Sequence, residues 1–265
     1  MADPRVLVVG AVLHRRHLLT STVPGLRLAT ESRTDLGGAG ALAALAAAET
    51  AAETGVEVVL VGGVGDDDPG RRCADALRVD RLRARLSHEG TTGEHLVLDV
   101  GTGVDDELLV LPDGGPADIP AAVEELAACR PGDALLVDAP TAARRPDLLR
   151  AAYDADVQLV LDLHPMLSEA FSDATALADV AVVDAAGAVA VADAAMPPAS
   201  LAVHAAFGSW WDDLRHEPAR ILPPDPDATH RFAGALTAAL AAGLDRPEAF
   251  DLAVRTATSG TPHLL

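Results

Sequence analysis

Residues 37–70 read GGAGALAALAAAETAAETGVEVVLVGGVGDDDPG, and they set out the architecture in miniature. A Gly-rich turn opens a run of Ala and Leu that predicts a helix to about Thr54, and Gly55 stops it. The next segment, residues 56–62 (VEVVLVG), is apolar and rich in β-branched residues, as a strand buried on both faces of a parallel sheet must be. Residues 63–70 (GVGDDDPG) form a turn, and an amphipathic helix is predicted over 71–86.

The same grammar continues on both sides. Upstream, residues 5–10 (RVLVVG) form another buried strand ended by Gly, residues 24 and 25 (Pro-Gly) a turn, and residues 26–30 (LRLAT) an alternating, half-exposed strand. Downstream, residues 95–100 and 107–111 read as a hairpin joined by GTGVDD. Helices are predicted at 120–129, 146–155, 229–243 and 247–258, and strands at 134–138, 157–162, 178–184 and 199–205. Alternating strands and helices define a doubly wound α/β fold with a mostly parallel sheet and helices on both faces. The exceptions are residues 11–36 and 90–112, which are β-rich without helices. They are expected to pair as a small second sheet over the C-terminal ends of the main strands. No repeat, linker or domain break interrupts the 265 residues, so one domain is expected.

Composition narrows the function classes. The formal net charge is −20 and all positive charge is Arg, because the chain contains no Lys. Such a surface repels nucleic acids and anionic membranes, and it rules out a Lys Schiff base or a P-loop Lys. Aromatic residues make up 3%, too few for a base-stacking platform. Cys73 and Cys129 are isolated thiols without metal-ligand spacing. The start, MADPRVLVVG, lacks the charged leader and long apolar run of a signal peptide, and a cytoplasmic location is expected.

The combination of GG-x-G before a helix and Gly62-Gly63-Val64-Gly65-Asp66-Asp67-Asp68-Pro69-Gly70 after a strand resembles the ribokinase/PfkB carbohydrate kinase family. The likeness follows the element order of the whole chain and is specific in the first hundred residues. It implies a ribokinase-like fold with a small β lid formed by about 11–36 and 90–112, and a sugar or nucleoside site under that lid. It further implies ATP and Mg²⁺ in the C-terminal half and phosphoryl transfer to a substrate hydroxyl. On the substrate side it implies Arg15, Gly37, Gly38 and Gly40. Separately, the lid strands are a candidate contact for a homodimer.

The second decisive stretch is residues 225–243, DPDATHRFAGALTAALAAG. Read directly, it is a polar loop opening a small-residue helix with Thr229 as a candidate N-cap, a geometry able to bind phosphate. Aligned through residues 232–236 on the family motif, the proton-abstracting Asp falls at His230. The Gly-Ala-Gly anion hole becomes Asp227, Ala228 and Thr229. The residue expected to organise metal and phosphate falls at Asp184, and the adenine-side turn at residues 203–208. The resemblance therefore leaves two functions open: a sugar or nucleoside kinase with a degenerate motif and His230 as base, or an inactive pseudokinase serving as a ligand-binding or interaction module.

Further groupings stand beside these. Asp162 and His164 end a buried strand and point to one side, which suits acid–base or metal chemistry, or a capped loop. His14 and His17 are three apart without a supporting ligand pattern. Asp66, Asp67 and Asp68 suit a helix cap as well as a cation. Trp210 and Trp211 suit packing against a partner or beneath the tail.

Overall fold

The computed structural model describes residues 3–23, 26–99, 105–110, 119–164, 172–192, 197–218, 225 and 227–259. The turn expected at residues 24 and 25 and the tip of the 95–111 hairpin lie outside them. The elements begin with β1 (Arg5–Val9), β2 (Leu13–Val23), β3 (Leu26–Gly37), α1 (Ala39–Thr54), β4 (Glu57–Val64) and α2 (Asp68–Ala76). Then come β5 (Leu82–His88), β6 (Glu94–Asp99), β7 (Asp105–Val110), α3 (Ile119–Ala127), β8 (Ala134–Asp138), α4 (Ala139–Arg144) and α5 (Pro146–Asp154). The chain continues through β9 (Gln158–Asp162), α6 (Ser172–Thr175), β10 (Val180–Val183), α7 (Ala185–Ala192) and β11 (Leu201–Ala205). Last are β12 (Gly208–Trp211), β13 (Leu214–His216), α8 (Ala228–Ala241) and α9 (Arg246–Ser259).

The main sheet has nine strands in the order β13-β12-β11-β10-β9-β8-β1-β4-β5. Pairing is parallel from β11 to β5 and antiparallel for β12 and β13. Strand parity assigns the two cores. Val6, Val8, Val58, Leu60, Leu136, Val160 and Val182 face α1, α8 and α9. Leu7, Val9, Val59, Val61, Leu135, Leu161 and Val183 face the helices on the other side. Residues buried on both faces are why these strands read as unbroken apolar runs.

The β-rich exceptions form the second sheet, in the order β3-β2-β6-β7. Its β2–β6 pairing is parallel and its β2–β3 and β6–β7 pairings are antiparallel. The β4–α2 turn anchors its entry. Asp67 caps α2 by accepting from the Gly70 amide at 2.8 Å, and it also accepts from the Thr92 amide at 2.9 Å and from the Thr92 hydroxyl. The Gly65 amide in turn donates to the Thr92 hydroxyl at 2.9 Å. The acidic run is thus, at Asp67, a helix cap that ties the turn to the strand entering the lid.

One element departs from expectation. The helix predicted over 71–86 ends at Ala76, and β5 begins at Leu82. Leu82, Ala84 and Leu86 pack on the core while Arg83 and Arg85 project from the opposite face. Their period of two satisfies an edge strand, and Arg81 at φ 67° breaks the helical path between the elements. The tail hairpin β12–β13 also replaces an unassigned stretch. It buries Trp211, whose indole nitrogen donates to the Ser200 hydroxyl at 2.6 Å, beneath Arg246 of α9 at 4.7 Å.

Candidate functional site

The C-terminal ends of β1, β8, β9 and β10 meet the N-terminus of α8. Asp138 and Asp162 close β8 and β9 in register with each other, and both are fully buried. Their parity matches Leu136 and Val160, so both carboxylates lie on the α8 side of the sheet. This brings Asp162 to His230, with Oδ2 2.6 Å from Nδ1. The His230 ring is buried and lies 5.2 Å, centroid to centroid, from His164. Nδ1 of His164 stands 3.3 Å from Oδ2 of Asp184. The other Asp184 oxygen accepts from the Gly187 amide at 2.6 Å and holds the first turn of α7. Asp162 uses its remaining oxygen to cap its own loop, accepting from the His164 amide at 3.2 Å.

Opposing effects set the protonation states. Burial pushes the His230 imidazole toward neutrality, but the charges of Asp162, Asp227 and Asp138 and the hydrogen bond to Asp162 outweigh it, so its pKa is raised. Asp138 is pushed up by burial and by the neighbouring Asp162 charge, against the hydrogen bonds it accepts from Thr141 and Ala11. The Ala11 amide donates to it at 2.6 Å and the Thr141 amide at 3.0 Å.

The residues expected on the substrate side, Arg15, Gly37, Gly38 and Gly40, lie on or next to the second sheet. Arg15 on β2 is 5% exposed and lies directly across from Asp35 on β3. Its Nε donates to Asp35 at 2.7 Å, one terminal nitrogen to Asp227 at 2.6 Å, and the other to the Leu36 carbonyl at 3.4 Å. His17, two residues along the same strand face, bonds the second Asp35 oxygen at 3.1 Å. His14 lies on the opposite face of β2, so the two histidines do not share a site. Gly37 ends β3, where a Cβ would stand 3.1 Å from the Arg15 Cβ. At Gly38, φ is 94° and a Cβ would meet the Ala11 carbonyl oxygen at 2.4 Å; at Gly40 it would meet the Gly10 backbone at 2.6 Å. These glycines let the lid return, α1 and the β1–β2 link close on one another.

The start of α8 differs from the expected cap. Asp227, not Thr229, is the N-cap residue, and its carboxylate goes to Arg15 instead of to a helix amide. Ala228 and Thr229 are buried in the first turn, and the Thr229 hydroxyl donates to the His204 carbonyl at 3.4 Å. Residues 203–205 lie on β11 and Gly208 starts β12, so the expected strand-and-turn on this side is present. The structure thus brings Arg15 to Asp227, and His230 to Asp162, His164 and Asp184. Sequence reasoning passed over Asp35 and Asp138. Asp35 stands immediately before the Gly pair, and Asp138 ends a fully apolar strand, which is the available signal for each. Among the described residues, no group of three or more His, Cys, Asp or Glu side chains is arranged to hold a metal ion.

No protein-family model and no curated protein matches the sequence. Solved structures do match. The Arabidopsis thaliana ribokinase complexed with ribose and ATP aligns with a TM-score of 0.72 at 19% identity, covering 97% of this chain and 92% of that one. A microbiome-derived acarbose kinase aligns at 0.72 and 23%, covering 98% and 91%, and a Thermotoga maritima ribokinase at 0.71 and 17%, covering 96% and 91%. The chain has a ribokinase/PfkB-like fold: α/β, with a mostly parallel sheet and a β lid. No helix among the described residues is long and apolar enough to cross a membrane.

Proposed function

We propose that this chain is a ribokinase-fold protein that no longer transfers phosphate and acts as a non-catalytic ligand-binding or interaction module. The observation that carries the reading is the 2.6 Å ion pair between Arg15 and Asp227. It joins the position implied for substrate contact to the position implied for the phosphate-binding turn, so the two charges satisfy each other. A carboxylate at Asp227, with Asp162 behind it, repels a triphosphate where glycine amides would attract one. Asp162 favours the protonated form of His230, which opposes its taking a proton from a substrate hydroxyl. Asp184 is already engaged with Gly187 and His164, and the residues present do not fit ATP with Mg²⁺. The homodimer through the lid belongs to the same proposal and is checked by light scattering.

A second reading keeps the enzyme. The Asp162–His230 contact resembles an orienting carboxylate behind a general base, and it would serve a kinase acting on a sugar or nucleoside with ATP and Mg²⁺. The test is ADP release from ATP and Mg²⁺ across a panel of sugars and nucleosides, with thermal shift in parallel. The expected outcome is no turnover and no nucleotide-dependent rise in melting temperature at millimolar ATP. Turnover that disappears in His230→Ala would establish the second reading instead.

A further inference from the structure

We infer that Asp227 is a built-in anionic ligand for Arg15, and that this pair latches the lid sheet to the core. Arg15 and Asp35 belong to the lid, whereas Asp227 is the N-cap of a core helix, 212 residues away in sequence from Arg15. The Arg15 side chain is 6% exposed, Asp35 1% and Asp227 15%, so the chain of contacts from His17 through Asp35 and Arg15 to Asp227 is largely shielded from water. A shielded guanidinium must keep its partners, because leaving it with one carboxylate fewer strands part of its donor set. Asp35 fixes the guanidinium from within the lid and the Leu36 carbonyl takes a further donor, so Asp227 is the single contact of this set that crosses to the core. Opening the lid therefore means pulling Arg15 away from Asp227, and a free carboxylate or phosphate can replace Asp227 only by exchange on the same guanidinium.

The inference uses the ion pair on which the proposed loss of phosphoryl transfer rests, but its test reads lid motion and not turnover, so either can fail alone. Amide hydrogen exchange is followed in residues 13–19 and 31–37 of the lid and 134–137 of β8, in the wild type, Asp227→Ala and Asp227→Asn. The lid amides are expected to exchange about tenfold faster in both variants while β8 keeps its protection. Acetate or inorganic phosphate at about 100 mM, matched in ionic strength with NaCl, is expected to slow lid exchange again in Asp227→Ala but not in the Arg15→Gln/Asp227→Ala double variant. Rescue by acetate alone marks a carboxylate-sized site, and rescue by phosphate alone a larger one. Unchanged lid exchange in the variants, equal acceleration in β8, or acceleration that neither anion reverses each overturns the latch. Asp227→Asn keeps the side-chain shape and carries the test should the alanine variant not fold.

Discussion

Two buried histidines show how local charge decides protonation. His204 is buried against Ser209 and Phe232. Burial, helped by the Arg231 charge and opposed by Asp225, pulls its pKa down to about 4. His230 is also buried but has Asp162 in contact, and its pKa rises. The consequences for stability have opposite signs. Between pH 6.5 and 4 the unfolded chain protonates His204 while the folded chain does not, so acid destabilises by up to about 3 kcal/mol. Urea unfolding across that window is expected to show a shallower acid loss in His204→Asn. His230 holds its proton more tightly when folded, so its pairing stabilises fully below the ordinary histidine value and fades as pH climbs through the raised one. Asp162→Asn leaves that charge without its partner and is expected to cost about 3 kcal/mol at pH 6, with the difference from wild type narrowing at higher pH. An NMR titration of the His230 ring should place its midpoint above 6.5 in the wild type and lower in Asp162→Asn.

At the scale of elements, α1 and α8 approach closely because both present Ala and Gly to each other. A Cβ on Gly234 would stand 1.9 Å from the Ala43 carbonyl oxygen, so the helices must separate to admit one methyl group. Gly234→Ala is expected to destabilise by about 3 kcal/mol in urea unfolding. Gly243→Ala is the comparison: Gly243 has φ 76° with nothing within 4 Å, so only the left-handed backbone is penalised, at about 1 kcal/mol. The small-residue helix was legible because its composition is its packing. Strands buried on both faces were equally legible, and β8 runs over the residues expected of it. The segment 71–86 was not, because its Leu, Ala and Arg residues satisfy helical and alternating periods together, and only pairing with β4 decides between them. The site was half legible. Motif alignment led to Arg15, Asp227 and His230, but their partners lie 212 and 68 residues away for the Asp227 and Asp162 contacts. Such pairings arise from topology and leave no local pattern.

For the molecule as a whole, acidic residues outnumber Arg by 40 to 20, so where the cations go matters. Three converge on one buried carboxylate: Glu125 of α3 receives Arg83 and Arg85 at 2.8 Å and Arg5 at 3.5 Å, joining α3 to β1 and β5. The Arg83 hydrogen bonds, against burial and together with Arg85, bring its pKa down to about 2. That stabilisation is present above the ordinary glutamate value and is lost as pH falls toward 2. Arg83 and Arg85 are exposed, so screening limits it, and Glu125→Gln is expected to cost about 1 kcal/mol at neutral pH. The remaining charge of −20 acts differently, as repulsion spread over the whole surface. Raising salt from about 10 mM to about 1 M shortens the screening length from about 30 to about 3 Å, which removes repulsion between distant carboxylates first. Contacts such as Arg15–Asp227 and His230–Asp162, both at 2.6 Å and shielded from solvent, are screened far less. The melting temperature is therefore expected to rise with NaCl, and by no less in Glu125→Gln, which lacks the screened Arg83 and Arg85 pairs. A melting temperature that falls with salt would mean that the exposed Arg–carboxylate pairs, and not the excess of negative charge, dominate the electrostatics of this fold.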